Sequence, residues 1–99
     1  MIDNWVQRKL PNRLERRIEF ASYDLTREFL DLAADKSEKE GYYPDLTFGK
    51  HHVNMTIYVD EDLGEPDESQ VRFAIYINSI TSNNDVVEEI RSVDTPEEV

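Results

Sequence analysis

The chain contains no cysteine, which excludes both a disulfide framework and a thiolate metal site. It has only three glycines in 99 residues, and none of its apolar runs approaches the length of a membrane span. Residues Met1 to Trp5 lack the basic region and the apolar run that mark a secretory signal. We therefore expect a soluble, cytoplasmic protein that forms one small domain and has no membrane partner.

Basic side chains are also scarce, with 11 lysines and arginines against 22 acids and a net charge of -11. Phosphate binding needs a concentrated basic surface, so this balance argues against a nucleic acid as the partner. The positive charge is unevenly spread, because five basic residues and a single acid lie between Arg8 and Arg17. Residues 81–99 instead carry six acids and one arginine. These ends either meet a partner of opposite charge or form two ordinary solvated surfaces.

The first part of the chain predicts a hairpin followed by a helix. Trp5 to Leu10 is typical of a strand that ends at the turn pair Pro11-Asn12, and residues 14–20 alternate apolar and charged side chains. Ser22 offers an N-cap oxygen to a helix with apolar residues at helical spacing, and Gly41 supplies the positive φ that ends it. The predicted order begins strand, strand, helix.

The turn Tyr42-Tyr43-Pro44 leads into two further predicted strands. Leu46 to Phe48 predicts a short one, and His52 to Val59 alternates apolar and polar residues, as expected for a strand with one buried face. The acidic run 60–68 then leads into a helix predicted from about Asp67 to Ile80. This helix carries two apolar stripes, which is wider than one sheet contact needs, so we expect part of it to bury against another subunit.

These elements predict an α+β domain over residues 1–80, with a four-stranded antiparallel sheet and both helices packed on one face, in the order β-β-α-β-β-α. Residues 81–99 are predicted to form a flexible acidic tail, in which Val86, Val87 and Ile90 add a helical turn or two. Because the domain is small and its last helix is broadly apolar, we expect a homodimer.

Several segments of the chain have the spacing of the motifs of a known family. They are Trp5 near the start, Ile18-Glu19-Phe20 at a strand end, Glu38 to Pro44 at a helix end, and the strand Val53 to Val59, followed by Asp60 and Gly64. In these places the pterin-4a-carbinolamine dehydratases have a Trp, a Phe-x-Phe-like strand end, the motif Glu-x-x-x-His-His-Pro, an alternating strand and a Thr-His turn with Gly. Over about three quarters of its length the chain resembles that family, without its N-terminal helix. The resemblance implies the same α+β fold.

The resemblance also locates the family's histidines, which are held to act as acid and base in removing water from a carbinolamine. Carried over position by position, the His-His pair falls on Tyr42 and Tyr43, and the third histidine falls on Asp60. A phenol with a reference pKa of ~10 is a poor base at neutral pH, and an aspartic acid at ~3.9 is a poor acid. We therefore expect no catalytic residues, no enzymatic activity and no cofactor.

Two other polar clusters could suggest a metal site, and neither has the required pattern. His51 and His52 are adjacent in a predicted strand, where neighbouring side chains point to opposite faces and cannot converge on one ion. The acidic run 60–68 has its glycine one place early for a calcium loop and lacks a ligand ladder of the right length. A capped helix start explains that run better, and we expect no metal.

A narrower resemblance accounts for the missing histidines. Dehydratase-like proteins without them include the RuBisCO assembly factor of α-carboxysomes, and the segment Tyr42 to Lys50 resembles the version of the turn in that group. This resemblance implies a non-enzymatic, carboxysome-associated chaperone that binds RuBisCO subunits or assembly intermediates. The alternatives are a pterin dehydratase with an altered active site and a binding module for some other protein.

Two candidate partner-binding sites follow. The first is the turn Tyr42-Tyr43-Pro44 with Asp60 placed beside it by the family geometry, because tyrosine is enriched at interface hot spots. One of the two rings could instead plug the vestigial pocket. The second is a basic patch of Arg8, Arg16 and Arg17, which would attract an acidic partner surface.

Overall fold

The structure of the protein is a computed structural model that describes residues 2–81 and 86–90. Its elements, in chain order, are β1 (Val6–Arg8), β2 (Arg13–Phe20), α1 (Tyr23–Glu40), β3 (Asp45–Phe48), β4 (His52–Tyr58), α2 (Glu68–Thr81) and β5 (Val86–Val87). The predicted order of two strands, a helix, two strands and a helix is confirmed, and the α+β class with it. β5 is an addition to the predicted set.

The sheet places β2 and β4 at its centre, in the order β1-β2-β4-β3 with antiparallel neighbours. Because side chains alternate along a strand, one face of β2 and β4 carries the apolar residues of both strands. These residues are at most 3% exposed: Leu14, Ile18, Phe20, Val53, Met55 and Ile57. Both helices cover this face, and the opposite face keeps the polar residues of the same strands.

Capping residues define both ends of α1 and the start of α2. The Ser22 hydroxyl accepts a hydrogen bond from the Leu25 amide at 3.2 Å, so the predicted N-cap of α1 is confirmed. Gly41 has φ 70° and ends the helix in the left-handed region, as predicted. At the start of α2, the Asp67 carboxylate and the Gln70 side-chain oxygen accept from each other's backbone amides at 2.9 and 3.0 Å, which is a capping box.

The two apolar stripes of α2 have different environments. Phe73, Ile77 and Ile80 are completely buried in the core of this chain, and Ala74 from the second stripe joins them. Ile75 is 55% exposed, so the second stripe is only partly used by the domain itself. Within the described part of the chain, neither helix is long and apolar enough to cross a membrane.

Val86 and Val87 form a strand, and the expected helical turn at these residues was wrong. They pair parallel with the end of β2 at Glu19 and Phe20, and the Ala21 amide donates to the Val87 carbonyl at 2.9 Å. β-Branched valines favour a strand. Because the short β1 does not extend to the last residues of β2, the edge of β2 there was free to pair with the two valines. Val87 is 1% exposed and belongs to the core. The remainder of the predicted flexible tail, residues 82–85 and 91–99, lies outside the described residues.

Candidate functional site

The left-handed turn at Gly41 sets the direction of the two tyrosines that follow it. The amides of Gly41 and Tyr42 both donate to the Ser37 carbonyl, at 2.8 and 3.2 Å, and so bind the turn to the last turn of α1. From this fixed point Tyr42 extends toward α2, and Tyr43 extends toward the space between α1 and β3. The adjacent rings therefore serve two different surfaces.

Tyr42 fills the space between the turn and the start of α2. Its ring meets Phe73 edge to face, with centroids 6.1 Å apart and an interplanar angle of 74°, and it packs against the buried core cluster. Gln70 donates a hydrogen bond to its phenol oxygen. The ring is thus held on both its apolar body and its polar tip, which is the arrangement of a plug.

Gln70 is a residue of this site that the sequence reasoning missed. It is 7% exposed, and its side-chain amide also donates to the Tyr58 carbonyl at 2.7 Å at the end of β4. It therefore joins α2, β4 and Tyr42 at one point. The spacing Asp67-x-x-Gln70 is the signal that could have located it, since an acid followed three residues later by Gln is a capping-box pattern.

The electrostatics of this pocket keep the Tyr42 phenol neutral. Burial raises the pKa of Tyr42, the hydrogen bond from Gln70 lowers it in part, and the nearby charges of Asp45 and Asp67 raise it further. A phenol with a raised pKa is an even poorer base at neutral pH than an ordinary one. The environment therefore makes the Tyr42 phenol less suited to the acid–base role of the family's histidine at this position.

Asp60 lies at the same end of the sheet but serves its own loop. Its carboxylate accepts from the backbone amides of Asp62 at 2.7 Å and Leu63 at 3.4 Å, and its side chain is exposed. The carboxylates that act on the Tyr42 phenol are those of Asp45 and Asp67. The structure thus accounts for Asp60 as a residue that caps its own turn, and its grouping with the two rings stays a prediction.

Tyr43 and Pro44 border a groove that is not lined by the half-buried Tyr42. The groove has a volume of about 220 Å³ and lies between α1 and β3. Its lining, besides these two residues, is Leu30, Ala33, Ala34, Ser37, Leu46 and Met55. The Tyr43 side chain is 66% exposed at its rim. An exposed ring over a mostly apolar groove is suited to contact with another macromolecule.

Arg8, Arg16 and Arg17 of the predicted basic patch line one cleft of about 470 Å³, but alternation along β2 places the Arg16 side chain on the covered face. Arg16 is 8% exposed, and its guanidinium donates to the Asn78 side-chain oxygen at 2.5 Å. Trp5 donates to the same oxygen at 3.1 Å. Burial lowers the pKa of Arg16 to about 10, as desolvation disfavours its charged form. Arg16 is therefore a buried structural cation.

The other two arginines of the proposed patch are on the open face, where acids accompany them. Arg8 meets Glu15 at 2.8 Å and Arg17 meets Glu19 at 3.4 Å. Hydrogen bonds from Arg13 and Arg8 lower the pKa of the Glu15 carboxyl, so this acid stays ionised beside them. The alternating signs reduce the net charge of this face, as in a solvated polar sheet surface.

The two histidines each have a separate neighbour. His51 places its ring nitrogen Nδ1 3.3 Å from the Phe20 carbonyl oxygen, while the His52 ring lies over Gly49, where an added Cβ would be 2.5 Å from it. Among residues 2–81 and 86–90, no group of three or more His, Asp or Glu side chains is arranged to hold a metal ion.

Comparison with known proteins identifies the family. No family model matches the chain, and no curated protein matches it. A solved structure of a pterin dehydratase-like protein, described as a RuBisCO assembly factor in the alpha-carboxysome, is 32% identical with a TM-score of 0.69. The match covers 82% of this chain and 93% of that one. This chain belongs to the pterin dehydratase-like family.

A second solved structure extends the fold comparison of this pterin dehydratase-like protein. It is a transcriptional coactivator/pterin dehydratase from Brucella melitensis, 19% identical with a TM-score of 0.68, and the match covers 78% of this chain and 81% of that one. At this identity the likeness shows the shared fold. The family resemblance predicted from the turn and strand spacing is confirmed.

The raised pKa of Tyr42 can be tested by titrating the phenols of this pterin dehydratase-like protein. Of its five tyrosines, the one removed by Tyr42→Phe should be deprotonated above the ordinary phenol range, because burial disfavours the phenolate. The neutral ring stabilises the fold below the unfolded-state pKa, and this contribution is lost as the pH rises through the raised folded-state value. Phenolate absorbance of wild type minus variant measures the step. A step in the ordinary range would show that the ring is not buried.

The neighbouring residues Arg16 and Arg17 can be used as a matched pair to test that Arg16 lies on the covered face of the sheet and Arg17 on the open face. Arg16→Glu should lower the free energy of unfolding by about 3 kcal/mol or more, since it buries a carboxylate against the Asn78 oxygen. Arg17→Glu should change it by no more than about 0.5 kcal/mol, because this side chain is exposed on the open face. Urea unfolding of both variants provides the comparison. Equal losses would contradict the placement of Arg16 in the core.

Proposed function

We propose that this protein is a non-enzymatic RuBisCO assembly factor that binds RuBisCO subunits or assembly intermediates. The observation that carries the proposal is the relative described as a RuBisCO assembly factor in the alpha-carboxysome, which is 32% identical and matches 82% of this chain. Association with the α-carboxysome is part of the same proposal.

The contents of the pocket support a role without catalysis. Tyr42 occupies the space beside Phe73 and Gln70, with its phenol pKa raised, and Tyr43 faces the other side of the turn. Asp60 caps its own loop. An acid and a base that converge on a small substrate would need different groups and a free space between them. The alternative of an altered dehydratase has no comparable support from these side chains.

Of the residues considered for partner binding, Tyr43 and Pro44 have the best placed side chains. Tyr43 is 66% exposed at the rim of an apolar groove, so its ring can lose a large water-accessible area on binding. Tyr42 acts indirectly in this proposal, since its half-buried ring holds the turn against α2. Asp60 and the open-face arginines Arg8 and Arg17 lie outside this groove, and no partner contact is assigned to them.

We also propose a homodimer as the solution state. Ile75 exposes 55% of its surface on α2, and no described strand pairs with the edge of β2 between its contacts with β1 and β5. A small domain gains stability by burying such a helix flank and such a strand edge against a second copy. In the sheet order, β4 lies between the β2 edge and the groove beside β3.

The assembly function can be tested by co-expressing RuBisCO subunits with and without this protein in a heterologous bacterium. The yield of assembled RuBisCO should rise several-fold with the protein, and the subunits should co-purify with it, because it binds an intermediate that otherwise aggregates. A catalytically competent pterin dehydratase from another source is the fold-matched control and should have no such effect. The proposal would be contradicted by an unchanged yield together with no co-purification.

In the same preparations, the purified protein should not accelerate carbinolamine dehydration above the buffer rate. Turnover comparable with that of the control dehydratase, abolished by Tyr43→Phe, would favour the altered-enzyme alternative over assembly.

Multi-angle light scattering tests the dimer separately. At micromolar concentration the mass should be twice that of the chain, and Ile75→Glu should shift the population toward the monomer by placing a charge in the buried flank. A single-chain mass for the wild type over this range would contradict the dimer without affecting the RuBisCO assignment.

A further inference from the structure

The open face of the sheet contains a cleft to which the proposed function assigns no partner. The cleft has a volume of about 470 Å³ and is lined by residues of β1, β2 and β4 together with Asn4. Exposed side chains in its lining include Val6, Arg8 and Arg17. Two arginines of the basic segment near the start of the chain are therefore brought to one cleft.

The guanidinium groups in this cleft keep unused hydrogen-bond donors. Arg8 donates to Glu15 through Nε at 2.8 Å, and its two Nη groups have no acceptor within the described residues. Arg17 uses Nε toward Glu19 and Nη1 toward Asn54, both at 3.4 Å, which leaves Nη2 without an acceptor among the same residues. A carboxylate, which only accepts hydrogen bonds, would fit these donors.

Among the described residues that line the cleft, Glu15 is the only acid, and it offsets little of this attraction. Its carboxylate accepts from Arg8 at 2.8 Å and from Arg13 at 2.7 Å, so two guanidiniums share one negative charge. Each of its two oxygens already has a cationic donor. The cleft therefore has an excess of positive charge and of donors at short range.

The two arginines of the cleft have a defined spacing. Arg8 is paired with Arg13, and Arg17 lies four residues further along β2, which corresponds to about 13 Å in a strand. Both guanidiniums lean in the same direction along β2, toward the acids that they contact, so this spacing is kept at their tips. Val6, which is 52% exposed, lies between them. An extended segment with acids four residues apart and an apolar residue midway would match this arrangement.

The acidic tail of the chain contains a segment with this spacing. Asp94, Pro96 and Glu98 are two residues apart, and alternate residues of an extended chain lie on the same side. Thr95 precedes a proline, which biases its backbone toward the extended region. The four steps from Asp94 to Glu98 then span about 13 Å. The tail thus carries two carboxylates at the separation of the two guanidiniums, with an apolar ring midway.

The attachment of the tail to the sheet favours the same site. Val86 pairs with Glu19, the acid that Arg17 contacts at 3.4 Å, so β5 lies beside the Arg17 end of the cleft. Ile90 packs against the core, and the four residues from there to Asp94 extend up to about 14 Å. A segment attached by so short a linker has an effective concentration on the order of millimolar, so contacts that are weak for a free peptide are sufficient to hold it.

We propose that residues 94–98 of the chain dock in the cleft on the open face of the sheet. The docked segment makes two ion pairs and one apolar contact: Asp94 with Arg17, Glu98 with Arg8, and Pro96 with Val6. The acidic and basic ends of the chain thereby neutralise each other within one molecule, and an acidic partner surface must displace the tail before it reaches these arginines. The inference goes beyond the assembly function and does not depend on it, because both groups belong to this chain.

A nitroxide spin label on the tail tests the docking in the full-length chain. Because the protein has no cysteine, Thr95→Cys provides a single attachment point, between the two acids that dock. The label should broaden the NMR signals of the Val6 methyl groups and of the Asn54 side-chain amide, which line the cleft. The resulting loss of intensity should be reversed when the nitroxide is reduced.

Charge variants of the labelled protein show whether the arginines hold the tail. Arg8→Gln combined with Arg17→Gln should remove most of the intensity loss, and so should high salt, because the contacts are exposed ion pairs. Arg27→Gln removes the same charge from an exposed position of α1 outside the cleft, so this matched control should leave the loss as it is in the wild type. Melting temperatures are measured so that only folded variants are compared.

A peptide with the sequence of residues 94–98 and blocked ends provides a second measurement that needs no label. Titrated into the full-length protein, it should shift the side-chain amide signal of Asn54. It should bind at least about threefold more tightly to the double variant Asp94→Asn and Glu98→Gln, because the neutralised tail no longer competes for the cleft. Equal affinity for the wild type and this variant would contradict the docking of the tail.

Three further results would each reject the proposal. Unchanged intensities in the labelled wild type, or a loss that persists in the double arginine variant, would show that the tail does not dock in this cleft. The same loss in an isotope-enriched chain without nitroxide, mixed with nitroxide-labelled chains, would assign the tail to a second copy. Signals of the cleft that shift only when RuBisCO subunits are added, and not with the peptide, would assign the cleft to that partner.

Discussion

The contact between the Tyr42 ring and Phe73 determines what the rest of the site can do. Because Gly41 turns the chain through the left-handed region and ties it to Ser37, the next two residues are sent to different sides. The Tyr42 ring packs against the core, where it contacts Phe73 and Gln70. The other is then necessarily presented to solvent. The Tyr42 ring thus fills the space beside Phe73, and the turn carries the exposed ring of Tyr43 on a rigid support.

The two faces of the sheet are likewise different, one packed under the helices and the other open to solvent. The face under the helices carries the aliphatic side chains of β2 and β4 together with Phe20, and it also contains one cation, Arg16, which donates to Asn78. The open face keeps its charges in neighbouring pairs, so it has no strong field of one sign. In our proposal, recognition uses the boundary between the layers, where α1 passes over β3 and the Tyr43 ring is exposed at the rim of a mostly apolar groove. Recognition at such a boundary requires little change in the fold itself.

Periodicity and capping chemistry were sufficient for most of the fold. Alternation along β2 and β4, the oxygen of Ser22 and the glycine at position 41 each act within a few residues, so they can be recognised in the sequence. The strand conformation of Val86 and Val87 depends instead on a free edge of β2, which is a property of the assembled sheet. Arg16 was grouped with Arg17 because charge was counted along the chain, although alternation already separated them. Likewise, which tyrosine would be buried depended on Phe73 and Gln70, some thirty residues away.

The central claim is that partner binding uses the Tyr43 side of the turn while the Tyr42 side stays closed. Amide hydrogen exchange of the protein, free and bound to RuBisCO subunits, tests this most directly, since it reports backbone protection without a mutation. We predict that exchange slows at the amides of Tyr43 and Leu46, which line the groove, whereas the loop from Asp60 to Gly64 is unchanged in the complex. Slowed exchange confined to the Asp60–Gly64 loop and the start of α2, with β3 unaffected, would contradict it.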